Sequence, residues 1–224
     1  KASLETDSSE KAHEGNLWSA LRSRPSLLVF AVLTTFYGFS YAQHRFTMPL
    51  QATSLFGDSG ARLYGLMMTL NAVCVVALTT PLVALTKRFR PIFNVAAAGV
   101  LYAVGFGVLA FARSPWLFFA STALWTVGEI VQATNESVYV SNHTPMSHRG
   151  RFNAVLPLIS GLGFSLSTPI AGRIADRSGL PAVWVVVAAS AGLAAAGVWA
   201  LGRYEKRKEP ARQAVGDDES SAEA

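Results

Sequence analysis

In the apolar run over residues 115–140, Trp125, Glu129, Gln132 and Glu136 recur at spacings of four, three and four. On a helix that spacing places all four on one face. A carboxylate at the centre of a bilayer is disfavoured by roughly 3 kcal/mol on insertion scales. The face must therefore look onto a water-filled cavity or a partner, not onto lipid. The chemistry open to such a carboxylate is the uptake and release of a proton. At about 1.5 Å per residue from Pro115, Glu129 lies about 21 Å along the axis and Glu136 about 32 Å. Glu129 falls inside the hydrocarbon and Glu136 near the far interface. Both are candidates for proton coupling, with Glu129 the stronger. The competing reading is a protonated or paired glutamate that only joins two helices.

Two further sets of residues suit a polar cavity. An earlier run carries Phe30, Thr34, Tyr37 and Tyr41 at helical spacing, followed by Gln43, His44 and Arg45. Rings so spaced serve packing as readily as ligand contact, and Tyr41 and Arg45 also suit an interfacial anchor. Asn71 stands alone among apolar neighbours and needs a hydrogen-bond partner there. The candidate substrate-cavity residues are therefore Tyr37, Tyr41, Asn71, Trp125 and Gln132.

These residues need long helices to position them. Of 224 residues, 51% are hydrophobic and 15% charged, against roughly 25% charged in a soluble domain. The charges gather at the tails and between apolar runs long enough to cross a bilayer as helices, about 20 residues each. The runs are too long for barrel strands and do not alternate. The expected fold is all-α and integral to a membrane, with six spans near 26–46, 62–86, 91–112, 115–140, 152–172 and 181–202. Residues 1–24 read as a polar cytoplasmic tail with a short interfacial helix at Leu17, Trp18 and Leu21. Residues 25–204 form the membrane domain, and 205–224 read as a disordered cytoplasmic tail. Gly161 with Ser165, and Ala188 with Gly192 and Ala196, are small-residue stripes suited to close helix contact.

Six spans put both termini on one side. That side holds fourteen of the nineteen Lys and Arg residues, which places both termini in the cytoplasm and the chain in the cell's inner membrane. The chain begins at Lys1 and not Met, which reads as a fragment or a trimmed product. Its net charge of +5 lies at helix ends and not on one patch, so nucleic acid is not an expected partner. An enzyme is not expected either. Gly163-Phe164-Ser165-Leu166-Ser167 lacks the last glycine of a nucleophile elbow, and His13-Glu14 has Leu17 where a zinc helix needs a second histidine. No cofactor or metal is called for, and Cys74 has no second cysteine to pair with.

Taken in order, these features resemble the C-terminal half of a major facilitator superfamily transporter, closest to bacterial drug:proton antiporters. The resemblance rests on Tyr41-Ala42-Gln43 with Met48-Pro49-Leu50, then Tyr64-Gly65, Asn71 and Pro81-Leu82. It continues through Gly128-Glu129, Thr144-Pro145 and Arg149-Gly150 to Pro169-Ile170-Ala171-Gly172, Asp176 and Gly179, covering about residues 17 to 205. The loop at 86–91 keeps basic charge without the family's Gly-Asp-Arg-Gly pattern. The resemblance implies that the first and fourth helices line a central cavity, with Tyr37, Tyr41, Glu129, Gln132 and Glu136 on its wall. It further implies a small-molecule substrate, protons as the coupling ion, the lipid bilayer as surroundings, and an absent N-terminal six-helix half as partner. Export of amphipathic or cationic drugs is the expected activity. Import of a nutrient with a proton, and a non-transporting scaffold, are the alternatives.

Overall fold

Three of the long helices open on a proline at their first position, where a missing N–H costs nothing and the fixed φ suits the helix. They are α1 (Pro25–Ala42), α4 (Pro91–Gly107) and α5 (Pro115–His143). A computed structural model describes residues 24–144 and 149–222, with side chains over 24–144 and 155–208. Between these three helices lie α2 (Thr47–Phe56) and α3 (Ser59–Thr86), and a 3-10 turn, Val108–Phe111, prolongs α4. Then come α6 (Arg149–Ser178) and α7 (Leu180–Ala222). Every element among the described residues is helical. The polar segment 1–24, with its expected interfacial helix, lies outside the described residues apart from Arg24.

Five stretches are long and apolar enough to cross a membrane: Pro25–Phe56, Ser59–Thr86, Pro91–Phe111, Val155–Ser178 and Leu180–Lys208. Helix α5 has the length, but it is not among them because its polar residues dilute its apolar character. All six expected spans thus correspond to helices, with three changes. The first ends at Ala42, and a turn over 43–46 leads into α2. Thr47 Oγ1 donates to Gln43 Oε1 (2.5 Å) and Gln43 Nε2 to the Ser167 carbonyl (3.4 Å), so side chains hold the break. The fifth runs on to Ser178, and Gly179, at φ +82°, is the whole connection to α7. Helix α7 continues to Ala222, where a disordered tail was expected. Its Glu, Lys, Arg, Ala and Gln residues are good helix formers, and extending an existing helix avoids the cost of nucleation.

The helices form an open arc in the order α3, α5, α4, α7, α1, α6. At its centre α4 packs between α5 and α7 around a run of rings. Trp125 stacks on Phe106 (centroids 5.6 Å apart, 12° between planes) and Phe106 on Trp184 (6.0 Å, 8°). The two ends of the arc are thinly covered: 6% of the apolar window of α3 and 22% of that of α6 are buried, against 56% for α4.

One small-residue contact differs from expectation. On α6 the face turned to α1 carries Gly163, not Gly161 and Ser165. A methyl at Gly163 would lie 1.8 Å from the Thr35 carbonyl oxygen, whereas one at Gly161 would meet nothing within 4 Å, and Ser165 is exposed. Gly38 on α1 closes against the Ser160 carbonyl oxygen in the same way (2.9 Å), and Thr35 Oγ1 donates to the Ile159 carbonyl (3.1 Å). On α7, Gly192 faces Ala103 and Ala188 faces Gly107, as the expected stripe requires, while Ala196 is exposed. Gly163→Ala in the full-length parent is expected to cost about 1–3 kcal/mol through overpacking, measured by thermal unfolding in detergent. Gly161→Ala should leave stability unchanged, and equal behaviour of the two variants would contradict this contact.

Candidate functional site

Helix α5 packs beside α3, and its polar face meets donors from two other helices, α1 and α3. Tyr41 Oη on α1 donates to Glu129 Oε1 (2.6 Å), and Asn71 Nδ2 on α3 donates to Glu129 Oε2 (2.9 Å). The same Asn71 nitrogen lies 2.9 Å from Thr126 Oγ1, which itself donates to the Thr122 carbonyl. With a carboxylate and an already donating hydroxyl as neighbours, the amide must present its NH2 group. Each carboxylate oxygen is thus held by one helix, and α1, α3 and α5 meet at one side chain. The partners of Glu129 among the described residues are these two neutral donors, Tyr41 and Asn71, with no Lys or Arg paired to it.

Glu136 is placed differently. Gln132 Nε2 donates to Glu136 Oε2 (2.9 Å), a bond one turn apart on the same helix. It ties the pair to each other and to no neighbouring helix. Both side chains are partly exposed.

Tyr37 and Trp125 carry no exposed surface. Tyr37 is enclosed between Tyr102 (centroids 5.9 Å apart) and Gly99, where even a methyl would lie 2.2 Å from the phenolic oxygen. Trp125 sits between Phe106 and His44, with Tyr41 edge-on at 5.8 Å. The Tyr37 hydroxyl and the Trp125 indole N–H have no hydrogen-bond partner among the described residues. Of the expected cavity residues, then, Tyr41, Asn71 and Gln132 join the carboxylates, whereas Tyr37 and Trp125 form the layer behind them.

Two residues near the site, Thr126 and Tyr102, were not singled out by sequence pattern, and a third, His44, was noted there only as polar. Thr126, one turn before Glu129, anchors Asn71; its i−3 spacing from the glutamate was the available signal. Tyr102 on α4 stands against both Tyr37 and Tyr41. His44 closes the outer end: its ring stacks on Trp125 (5.2 Å), its Nδ1–H donates to the Tyr41 carbonyl (2.5 Å), and its Nε2 accepts from Arg45 Nε (3.2 Å). That pattern makes the imidazole neutral, with the proton on Nδ1.

A family model described as Major Facilitator Superfamily matches residues 28–222, so the chain belongs to that superfamily of membrane transporters and is an integral membrane protein. Among curated proteins it is similar to an uncharacterized MFS-type transporter, YqjV, of Bacillus subtilis (strain 168), 28% identical over 138 residues. The aligned part is 62% of this chain and 32% of that relative, so the match spans about a third of the relative's length.

Asn71→Leu should remove the amide's two bonds and leave Glu129 one donor short. Loss of about 0.6–2 kcal/mol is expected for such a hydrogen bond within a membrane, read as a lower Tm of the full-length parent. The substitution Val73→Leu, at an exposed position on the same helix, serves as control and should change little.

Proposed function

We propose that this chain is the C-terminal half of a proton-coupled secondary transporter that exports small amphipathic or cationic compounds by alternating access. The observation that carries the reading is the Glu129 carboxylate, held between α1, α3 and α5 with no described cation against it. The thinly covered faces of α3 and α6 support an N-terminal six-helix half as the partner that closes the cavity. Two such halves rocking about a site near the midplane is the arrangement known for transporters built of paired repeats. The positive-inside bias supports an inner-membrane location with both termini in the cytoplasm.

The geometry suggests where a proton would go. Asn71 offers only N–H donors to Oε2, so that oxygen remains an acceptor. Tyr41 is a hydroxyl that can donate or accept, so Oε1 is the oxygen able to take the proton. Protonation there requires the Tyr41 hydroxyl to give up its donor role and accept instead. The link between α1 and α5 then changes character, while the link from α3 persists. The anionic form attracts a cationic substrate and the neutral form releases it, so substrate and proton compete for one carboxylate. Glu136, with Gln132, forms a second carboxylate on the same face toward the cytoplasm and takes the proton next. Tyr41, Asn71 and Gln132 contribute to the substrate wall, and Tyr37 and Trp125 hold that wall from behind.

The test is pH-dependent efflux from cells expressing the full-length parent, wild type against Glu129→Gln at matched membrane levels. Proton-coupled efflux should fall at least about tenfold, the scale of losing one essential interaction. Retained coupling in the variant would remove Glu129 from the mechanism. Accumulation in place of efflux by the wild type, followed in everted vesicles, would make the protein an importer.

A further inference from the structure

His44, in the turn between α1 and α2, is buried and holds two hydrogen bonds of opposite sense. Its Nδ1–H donates to the Tyr41 carbonyl, and its Nε2 accepts from Arg45 Nε (3.2 Å). Tyr41 is the residue whose hydroxyl reaches Glu129, so the imidazole stands one residue removed from the carboxylate. Arg45 is exposed. The Nε2 edge of the ring is therefore reached from the solvent side, past a cationic side chain.

With one proton already on Nδ1, a second can go only to Nε2. Nε2 would then be a donor facing the N–H of Arg45, and two donors cannot share a bond. Protonation of the ring therefore requires Arg45 to leave. The Arg45 guanidinium also lies over the Phe164 ring on α6 (5.8 Å). A cation–π contact at an exposed site is weaker than the repulsion between adjacent like charges, so Phe164 does not hold Arg45 beside an imidazolium.

The titratable and charged groups around His44 come from three elements. Its own segment supplies Tyr41 (centroids 4.4 Å apart) and Arg45, and α5 supplies Glu129, whose charge acts on the ring. Helix α4 sets Tyr102 against Tyr41 (6.2 Å). From α5 the neutral Trp125 stacks on the imidazole (5.2 Å), and from α6 the neutral Phe164 faces Arg45. Ionised Glu129 favours a positive charge on the ring and Arg45 opposes it. The ring is thus most disposed to take a proton when Glu129 is anionic. The positive-inside orientation puts this turn at the outer face.

We propose that His44 is a proton-sensing latch at the outer end of the site: uptake of a proton at Nε2 displaces Arg45 and frees the turn between α1 and α2 from Phe164 of α6. The proposal deepens the reading of Glu129 as the coupling carboxylate, on which it rests, by adding a second titrating group on the outer side. Acid outside the cell then loosens this end while Glu129 is ionised. Gln43, bonded to Thr47 and to the Ser167 carbonyl, keeps the helix break itself in place.

The test follows tryptophan fluorescence of the full-length parent in detergent from about pH 8 to about pH 5, the range in which histidine titrates. The signal is the difference between wild type and Trp125→Phe. An imidazolium stacked on an indole quenches its emission, so acid should lower this difference in a one-proton step. His44→Asn, whose amide can still donate to the Tyr41 carbonyl, should abolish the step. Arg45→Met should move its midpoint up and Glu129→Gln should move it down, each by at least about half a pH unit. Hydrogen exchange of the α6 amides around Phe164 should rise across the step in the wild type and not in His44→Asn. No step in the wild type, a step that survives in His44→Asn, or a midpoint indifferent to both charges overturns the titration, and exchange that does not follow the step overturns the latch. Should His44→Asn not fold, the opposite midpoint shifts of the other two variants decide. The efflux test fails separately: removing Glu129 from the transport mechanism leaves the step in place, and absence of the step leaves the efflux result standing.

Discussion

The carboxylate of Glu129 has to be hydrogen-bonded wherever it lies in the bilayer, and much of the architecture follows from the way that need is met. Lipid offers no donor, so the bonds come from Tyr41 on α1 and Asn71 on α3. The three helices are thereby fixed in rotation about their axes, because a turn of any one would carry its polar group into hydrocarbon. Helix α3 depends on this most. With so little of its apolar window buried, it is held to α5 by polar pegs at two heights. One is Asn71. The other is at its C-terminal end, where Asn94 Nδ2 donates both to the Thr86 carbonyl (2.8 Å) and to Asn135 Oδ1 (2.7 Å).

The opposite end of the arc is joined by other means. Helices α1 and α6 meet backbone to backbone, with Gly163 against Thr35 and Gly38 against Ser160. Dispersion at close range, aided by the Thr35 bond to the Ile159 carbonyl, supplies the attraction that apolar burial cannot provide in lipid. Both end helices of the arc carry internal prolines: Pro81 lies in α3 and Pro157 and Pro169 in α6, all exposed.

The number of long helices, their approximate limits and the polar face of α5 were legible in the sequence because each is set by local periodicity and hydropathy. Pairing was not. The spacing of Tyr41 and Asn71 says nothing of the 88 and 58 residues that separate them in sequence from Glu129. Asn71 announced that it needed a partner, but not which one. The break after Ala42 carries neither glycine nor proline over 43–46; it is held by Gln43 reaching Thr47 and Ser167, contacts that exist only once α6 is in place. The α6 contact was misplaced by two residues because small side chains occur around that helix at Ser160, Gly161, Gly163, Ser165 and Ser167, so composition alone does not choose a face. Tyr37 and Trp125 look like cavity residues in a helical projection, yet the approach of Gly99 and the stacking on Phe106 bury them.

The dilute apolar character of α5 bears on how the protein is made. A segment carrying Glu129, Gln132, Asn135 and Glu136 gains little from partitioning into lipid by itself. The groups that accommodate it, Tyr41, Asn71 and Asn94, all belong to helices earlier in the chain. During synthesis these are available before α5 emerges, so its entry into the bilayer is an act of assembly onto a prepared surface. Damage to α1 or α3 should therefore surface first as a topological error, with α5 left outside the membrane and the two helices after it inverted.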